Sequence, residues 1–332
     1  MLRVAMLSYW HVHAPGYTRE ILALPDTKIT VVWDELPQRG REWAQKIGAE
    51  YVEDLDAAVN REDVDAVIVN APTNMHPEVI IAAAKAGKHI FTEKVLALTQ
   101  VEANQIADAV RAAQVRFCIS FPQRTRSGML FIKQAITEGW LGQVTLLRAH
   151  IAHTGTIDKW LPPHFLSMEQ CGGGSLIDLG AHPMYAIEYL MGMPQTVTAR
   201  YNQVTAGLEV EDNAVVVMTY ANGGLAIAES SFCARNSPFT IEAHGTEGTL
   251  YYGFPDAEVR INSRKLSVAV DGWLTPTKLP KALPSAMRQW VDAIRGGAPV
   301  VFDLDAACNL STLMEAANIS ARQERTVHLP FA

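Results

Sequence analysis

The stretch AVIVNAPTNMHPEVIIAAAKAGKHIFTEK, residues 66–94, decides the fold of the first part of the chain. It opens on a short apolar run, continues through a helical pattern and closes on a second apolar run. Pro77 stands where the first turn of a helix tolerates proline, and Gly87 stands where a helix over residues 78–86 would stop. Two short apolar runs joined by a helix predict a β-α-β unit of a parallel sheet.

The same alternation of apolar runs and helical patterns extends outward from this unit to about residue 121. Thr99 and Glu102 form the pattern of a capping box at the start of a helix that ends near Ala113. We therefore predict a parallel α/β domain over residues 1–121. Its strands are predicted at residues 3–7, 29–33, 66–70, 89–92 and 116–120.

From residue 122 onward the sequence pattern changes. A helix at about residues 127–138 precedes a loop that contains Trp and Pro, a glycine run, another helix and then successive strand-like segments. Asn222-Gly223 separates two apolar segments and is a strong hairpin signal, and residues 245–248 mark a second turn. This order predicts an α+β domain over residues 122–332.

The composition limits the classes of partner. A chain of 332 residues is longer than one core usually fills, which agrees with two domains. Its net charge of −7 argues against nucleic acid, whose phosphates attract Lys and Arg. The four cysteines stand singly, unlike a disulfide framework, and no apolar run can serve as a signal peptide or a membrane span. We expect a cytoplasmic protein whose partners are small molecules.

The hairpin strands at residues 214–220 and 225–231 carry apolar or small residues on both faces over residues 215–218 and 225–228. A sheet with one face in water should alternate between apolar and polar residues. We therefore expect a homodimer or homotetramer formed through the sheet of the second domain. The alternative is a two-layer core whose outer face tolerates apolar residues.

The turn after the first predicted strand bears on whether the first domain binds a dinucleotide. It reads Ser8-Tyr-Trp-His-Val-His13 and lacks the glycines that let a backbone approach pyrophosphate. Ser8 can still form a tight turn and donate its hydroxyl, and a helix opening at Pro15 would leave His11 and His13 near the phosphates. Asp34 ends the second strand, at the distance expected for a carboxylate that binds the adenosine ribose.

Asp34 favours NAD, although it also fits an ordinary solvated residue at a strand end. Arg39 and Arg41 follow closely and could bind the 2′-phosphate of NADP. His11 and His13 allow a competing hypothesis, because two such histidines open the binuclear metal site of many hydrolases. A hydrolase barrel would need eight βα repeats, which the second half does not supply, so we expect no metal here.

A glycine run, Gly172-Gly173-Gly174, precedes the most specific pattern of polar residues. If Ser175 begins a helix, Asp178 and His182 lie one turn apart, with Tyr185 on the same face. Lys94 follows the predicted strand at residues 89–92, at the sheet edge where α/β proteins bind ligands.

Taken together, these segments resemble the Gfo/Idh/MocA family of oxidoreductases, named after glucose-fructose oxidoreductase and inositol dehydrogenase, over essentially the whole chain. Residues 71–76 resemble its cofactor-side turn, Glu93-Lys94 its Glu-Lys-Pro motif, and residues 172–182 its glycine-rich helix. Residues 211–213 and 245–248 resemble family turns of the second domain. The chain departs from the family at Val95, which replaces the proline, at the glycine-free first turn, and at Tyr185, which replaces an acid.

The resemblance implies an N-terminal Rossmann-type parallel sheet and a C-terminal α+β domain with a large, mostly antiparallel open sheet. It implies NAD as cofactor, with NADP as an alternative, and Lys94, Asp178 and His182 as catalytic residues. The residues expected to bind the cofactor are Ser8, Trp10, His11, Val12, Asp34, Ala71, Pro72, Asn74, His76, Glu93 and Lys94.

His182 is the natural proton acceptor for alcohol oxidation because imidazole titrates near neutral pH. Asp178 could orient it, and Lys94 could donate to the reacting oxygen or accept the proton itself. Substrate contacts are expected from a loop at residues 150–170 and from residues near it. These residues, each of which also has a purely structural explanation, are Arg124, His153, Trp160, His164 and Tyr185.

The sequence thus predicts an NAD(P)-dependent oxidoreductase that transfers hydride between a nicotinamide cofactor and a sugar, polyol or sugar derivative. Two alternatives share the fold: a hydrolase or isomerase that uses NAD for a transient oxidation of glycosides, and a non-catalytic sugar sensor that binds a dinucleotide. A metal-dependent hydrolase acting through His11 and His13 is the remote alternative.

Overall fold

The computed structural model describes residues 1–235, 237–254, 256–266 and 272–331. The chain divides into two compact units. The first unit comprises Met1–Ser120 and Pro284–Ser311, and the second comprises Phe121–Leu283 and the residues from Thr312 onward. The expectation of one continuous second domain over residues 122–332 was therefore wrong, because a C-terminal segment belongs to the first unit.

Strands and helices alternate along the first part of the chain, whereas strands follow one another directly in much of the second. The strands are β1 Leu2–Leu7, β2 Thr27–Trp33, β3 Glu50–Tyr51, β4 Ala66–Val69, β5 His89–Thr92, β6 Phe117–Ile119, β7 Val144–Ala152, β8 Thr196–Asn202, β9 Asn213–Thr219, β10 Leu225–Ser231, β11 Thr240–Gly245, β12 Gly248–Tyr252, β13 Val259–Ser263 and β14 Val327–His328. The α-helices are α1 Ala14–Ala23, α2 Pro37–Ile47, α3 Leu55–Val59, α4 His76–Lys85, α5 Gln100–Ala113, α6 Ser127–Thr137, α7 Met168–Cys171, α8 Ser175–Asp178, α9 Ala181–Met191, α10 Ala286–Ile294 and α11 Leu304–Gln323.

The first unit is built on a parallel sheet with the strand order β3-β2-β1-β4-β5-β6. This is the order of a dinucleotide-binding Rossmann sheet, with its topological switch point between β1 and β4. Every residue of β4 is buried, as expected for a strand covered by helices on both faces. The predicted strands and the capping box of Thr99 and Glu102 are confirmed, and the short β3 was missed.

The C-terminal segment of the first unit packs on this sheet through α10. Trp290 is completely buried, and its ring lies 5.7 Å from that of Phe91 in β5. The Cys118 thiol of β6 lies 3.6 Å from the carbonyl oxygen of Ala286. The local pattern of α10 marks an apolar face but does not say which sheet that face covers, which is why the sequence placed it in the wrong domain.

The second unit contains a mixed sheet with the strand order β13-β12-β11-β7-β10-β9-β8-β14 among the residues described. Adjacent strands are antiparallel except β7 and β10, which are parallel. This confirms the mostly antiparallel sheet and the two predicted hairpin turns. In β9 one face is buried, whereas Val215 and Val217 on the other face are 37% and 36% exposed.

Among the residues described, no helix is both long and apolar enough to cross a membrane. All four cysteines are free thiols.

Candidate functional site

Backbone hydrogen bonds align the carboxyl ends of neighbouring strands in the first unit. The Asn70 N–H donates to the Leu7 carbonyl at 2.9 Å, and the Glu93 N–H donates to the Val69 carbonyl at 3.3 Å. The turns that follow β1, β4 and β5 therefore emerge side by side at one edge of the sheet. This is the edge at which open α/β sheets bind ligands.

The first turn adopts a glycine-like conformation without glycine. Ser8 is buried and has a φ of +76°, in the left-handed region that glycine usually occupies. Its hydroxyl oxygen accepts a hydrogen bond from the Trp10 N–H at 3.0 Å, which holds the turn. Trp10 and His11 are buried, Val12 is 46% exposed, and α1 begins with a proline in its first turn. The serine thus forms the tight turn that its position predicts.

Asp34 is engaged within the protein. Its carboxylate accepts hydrogen bonds from the Tyr9 N–H at 2.8 Å and from the Arg39 Nη2 at 2.8 Å, and its side chain is completely buried. The Tyr9 ring stacks on Trp43 at 4.2 Å. A ribose contact would require Asp34 to exchange these partners, so its role in cofactor binding stays a prediction without support from its contacts.

The turn after β4 is tied to the turn after β5 by His76. Its Nδ1 lies 3.0 Å from the Val95 carbonyl oxygen, and its Nε2 lies 3.1 Å from the Ala71 carbonyl oxygen. Burial lowers the pKa of His76, against the opposing effect of these carbonyls. Ala71 and Pro72 are buried, whereas Asn74 is exposed. In this structure His76 acts as a brace between two turns, and its expected contact with the cofactor is not tested.

Asn70 supplies the observation that bears on whether this edge fits a dinucleotide. Its side chain is completely buried, and neither its amide oxygen nor its amide nitrogen has a hydrogen-bond partner. Such a group costs about 1–3 kcal/mol unless something binds it. Because Asn70 lies at the switch point between β1 and β4, its amide fits a polar ligand such as the carboxamide or phosphate end of a dinucleotide.

Replacing Asn70 tests this assignment. In Asn70→Leu the unpartnered amide is lost at nearly constant volume, so the free energy of unfolding of the ligand-free protein should rise by about 1–3 kcal/mol. The affinity for NADH should fall about 3- to 10-fold, as expected for the loss of a hydrogen bond. Chemical denaturation and fluorescence titration measure the two quantities. Asn60→Leu replaces an exposed residue of the same unit and is the control, which should show neither the rise in stability nor the loss of NADH affinity. If Asn70→Leu binds NADH as tightly as the wild type, Asn70 is not part of the site.

Glu93 collects positive and polar groups at the end of β5. It is 2% exposed; His13 Nδ1 lies 2.7 Å from its Oε1, and the Tyr17 hydroxyl donates to the same oxygen. Burial raises the pKa of Glu93, but the charges of His11, His13 and Lys94 outweigh it and hold that pKa well below its usual range. The Lys94 N–H donates to Glu93 Oε2 at 3.0 Å, and Lys94 itself is 5% exposed. The Lys94–Val95 peptide bond is cis.

In the second unit a buried carboxylate positions the glycine run. Glu211 accepts hydrogen bonds from the Gly174 N–H and from the Leu176 N–H, each at 3.0 Å, and its backbone carbonyl accepts one from the Ser175 N–H at 2.9 Å. Burial raises the pKa of Glu211, although these N–H donors oppose the rise. Glu211 thus satisfies the N–H groups at the start of α8, which would otherwise be buried without partners.

The glycine requirement differs between two adjacent positions. A Cβ at Gly174 would overlap the Glu211 carbonyl oxygen, whereas a Cβ at Gly173 would have its nearest neighbour, a methyl of Ile177, at 3.5 Å. Gly174→Ala should lower the free energy of unfolding by roughly 2–3 kcal/mol, and Gly173→Ala should change it by less than about 0.5 kcal/mol. Thermal and urea denaturation of the matched pair measures the difference. Equal stabilities would mean that Glu211 does not clamp this turn.

Asp178 and His182 lie in two successive helices, which corrects the expectation of one continuous helix. Asp178 is the last residue of α8, and His182 is the second residue of α9. The break falls at Gly180, where a Cβ would meet the Leu176 carbonyl oxygen at 2.7 Å. Pro183 therefore stands in the first turn of a helix, where its missing N–H costs little. Asp178 is half-buried and His182 is 9% exposed.

Tyr185 lies next to His182 in the interior of the second unit. It is completely buried, its ring stacks on Phe121 at 4.4 Å, and its hydroxyl lies 2.9 Å from His182 Nδ1. The hydroxyl oxygen also accepts a hydrogen bond from the Gln123 N–H at 3.0 Å. These contacts lie within the protein, so the expected contact of Tyr185 with substrate stays a prediction without support from its contacts.

The other residues expected to bind substrate are held in different ways. The guanidinium of Arg124 lies over the Tyr189 ring at 4.4 Å. The His153 ring stacks on Phe232 at 4.9 Å and accepts a hydrogen bond from the Gly155 N–H at 3.0 Å. Trp160 is 55% exposed and lies 4.6 Å from His153. His164 lies in a turn, Pro163–Leu166, with its ring 5.0 Å from that of Phe165.

His153 and Trp160 are thus brought together, and His153 and Asp158 line a cavity. Sequence reasoning did not single out Asn70 or Glu211 as functional residues. A signal existed for each, since Asn70 ends a wholly apolar strand and Glu211 belongs to a turn that resembles the family pattern.

Comparisons with known proteins agree with this geometry. Residues 8–121 match the oxidoreductase family with an NAD-binding Rossmann fold, and residues 129–251 match the GFO/IDH/MocA C-terminal domain. The chain is 27% identical to scyllo-inositol 2-dehydrogenase (NAD(+)) of Bacillus subtilis (strain 168), over 96% of this chain and 92% of the relative.

Solved structures with similar folds carry nicotinamide cofactors. Levoglucosan dehydrogenase in complex with NADH and levoglucosan superposes with a TM-score of 0.85 at 22% identity, over 99% of both chains, which shows a shared fold. GenD2 from gentamicin A biosynthesis, in complex with NAD, has a TM-score of 0.82 at 25% identity, over 99% of this chain and 96% of that one.

Proposed function

Because the chain belongs to the Gfo/Idh/MocA family of NAD-binding oxidoreductases, we propose that it transfers hydride between NAD or NADP and a CH–OH group of a sugar, polyol or sugar derivative. The observation that carries the proposal is the hydrogen-bonded series Gln123, Tyr185 and His182. It holds an imidazole in a defined position at the start of a helix. When bound, the nicotinamide supplies the hydride acceptor or donor.

His182 carries the proton in this proposal. Oxidation of an alcohol releases a proton from the hydroxyl oxygen as the hydride leaves, and reduction of a carbonyl needs that proton back. In this proposal the Tyr185 hydroxyl oxygen accepts from Nδ1–H in both the neutral and the charged ring, which leaves Nε2 as the atom that takes and returns the proton. His182 therefore keeps a hydrogen-bond partner at Nδ1 in both protonation states.

Asp178 and Lys94 complete the proposed catalytic residues. Asp178 precedes His182 across the break at Gly180, and we assign it to orienting the imidazole or binding a substrate hydroxyl. Lys94, at the end of β5, is assigned to stabilising negative charge on the reacting oxygen, the role that its Glu-Lys motif implies. The cofactor-binding assignments of Ser8, Glu93 and their neighbours are part of the same proposal.

The relatives support the substrate class. Scyllo-inositol 2-dehydrogenase and levoglucosan dehydrogenase are named for a cyclic polyol and an anhydrosugar, both of which present ring hydroxyls on an apolar frame. Trp160, exposed beside His153, offers the flat apolar surface that such rings pack against. We propose Trp160 as the face that receives the sugar ring.

Two further properties belong to the proposal. Val215, Val217, Leu225 and Tyr251 are exposed apolar side chains on the sheet of the second unit, which supports a homodimer or homotetramer assembled through that sheet. A cytoplasmic location is supported by the four free thiols, since a reducing compartment keeps cysteines in that state.

Turnover with purified protein tests the proposed function. We expect reduced-nicotinamide absorbance to rise with NAD or NADP and at least one member of a panel of inositols, anhydrosugars and aldoses. His182→Ala should reduce kcat by about 100- to 10,000-fold, the usual contribution of a general acid–base group, and leave the dissociation constant for NADH nearly unchanged. If calorimetry detects no binding of NAD, NADH, NADP or NADPH, the proposal is refuted.

Tyr185→Phe tests the positioning of His182. Removing the hydroxyl keeps the ring stack on Phe121 and should lower kcat about 2- to 10-fold, with KM little changed and the acid limb of the kcat–pH profile displaced. The matched control is Tyr201→Phe, which also removes a hydroxyl hydrogen bond in the second unit, at 3.0 Å to Asn318 Oδ1. If both variants leave the profile unchanged, Tyr185 is structural.

A further inference from the structure

A cluster of metal-binding donor groups lies in the first unit, where the sequence offered two histidines alone. His11, His13 and Glu93 each present a donor atom, and these atoms lie within 4.8 Å of one another. The histidines come from the turn after β1, and Glu93 follows β5, 80 residues later than His13 in the chain. The third donor was thus invisible in the sequence.

We propose that His11, His13 and Glu93 bind one divalent transition-metal cation, with Zn²⁺ as the probe. Two imidazoles and one carboxylate form the donor set that catalytic zinc sites and mononuclear iron sites share. Hard cations such as Mg²⁺ prefer oxygen donors, so they fit this set poorly. The proposal goes beyond hydride transfer, which needs no cation.

The distances are compatible with such a site. In a tetrahedral site, metal–ligand bonds of about 2.0–2.2 Å place ligand atoms roughly 3.3–3.6 Å apart. Glu93 Oε1 lies 2.7 Å from His13 Nδ1 and 3.9 Å from His11 Nδ1, on either side of that range. A shift of about half an ångström in each contact brings both to coordination distance. In the structure the His11 Nδ1 accepts a hydrogen bond from the His13 backbone N–H at 3.2 Å. A cation bound at Nδ1 would replace this hydrogen bond.

Burial and outer contacts also favour a bound ion. Glu93 and His11 have side chains only 2% and 6% exposed, whereas that of His13 is 47% exposed and provides a path from solvent. The Tyr17 hydroxyl and the Lys94 N–H hold the two carboxylate oxygens, as second-layer partners of metal ligands usually do. Three protein ligands leave a coordination position for one oxygen atom of a small ligand.

The site has a specific place in the fold. The edge that carries Ser8 and Asn70 also carries the cluster, and its two histidines lie in the turn from which the pyrophosphate-binding glycines are missing. A cation there adds positive charge at the position where a Rossmann turn normally contributes backbone N–H groups. This is a property of the first turn that nothing in the hydride-transfer chemistry requires.

The experiment measures metal content without reference to turnover. Protein prepared without a histidine tag is treated with chelator, dialysed against Zn²⁺ and analysed by elemental mass spectrometry. We expect one Zn²⁺ per chain in the wild type. In His13→Ala the affinity for Zn²⁺ should be at least about 100-fold weaker, because mutation of residues that merely contact a metal ligand already lowers metal affinity 10- to 100-fold. His13 is chosen because its partly exposed side chain can be truncated with little risk to folding.

His89→Gln is the matched control, since His89 is a half-buried histidine of the same unit outside the cluster, and it should bind Zn²⁺ like the wild type. Replacement by Co²⁺ should give a visible absorption band that is lost in His13→Ala. Fewer than about 0.1 Zn²⁺ per chain in the wild type, or equal binding by His13→Ala, would overturn the proposal. Either result leaves the dehydrogenase proposal standing, because dinucleotide binding and turnover are measured separately.

Discussion

The alignment of strand ends in the parallel sheet is the constraint on which the functional part of the first unit depends. Parallel pairing of β1 with β4 and of β4 with β5 brings three turns to one edge, although they are separated by many residues in the chain. The hydrogen bonds from Asn70 to Leu7 and from Glu93 to Val69 continue that pairing past the strand ends. Without this register, Ser8, Asn70 and Glu93 would not share an edge.

Two buried polar side chains differ in whether they have hydrogen-bond partners. Glu211 meets backbone N–H donors at both carboxylate oxygens, and so fixes the glycine run and the start of α8. Asn70 has no partner for either amide atom. A satisfied group contributes to the fold, whereas an unsatisfied one lowers stability until a ligand binds it, which is the behaviour expected of a binding site.

The first turn departs from the family in a consistent way. Ser8 takes the conformation of a glycine, and His11 and His13 converge on Glu93. Polar and ionisable groups thus replace the small residues that normally admit a dinucleotide. The changes cluster at the strand-end edge of the first unit, while the chemistry proposed for His182 belongs to the second unit.

The sequence by itself determined the parallel α/β unit, the hairpins and the family, because these depend on local periodicity, turn residues and short motifs. The acid–base roles of Asp178 and His182 are a prediction that depends on one of those motifs. Only the tertiary structure decided that residues 284–311 join the first unit, that Gly180 divides the helix, that Tyr185 supports His182 from within, and that Glu93 meets His11 and His13. Each of these depends on contacts between segments distant in the chain, which local sequence patterns do not encode.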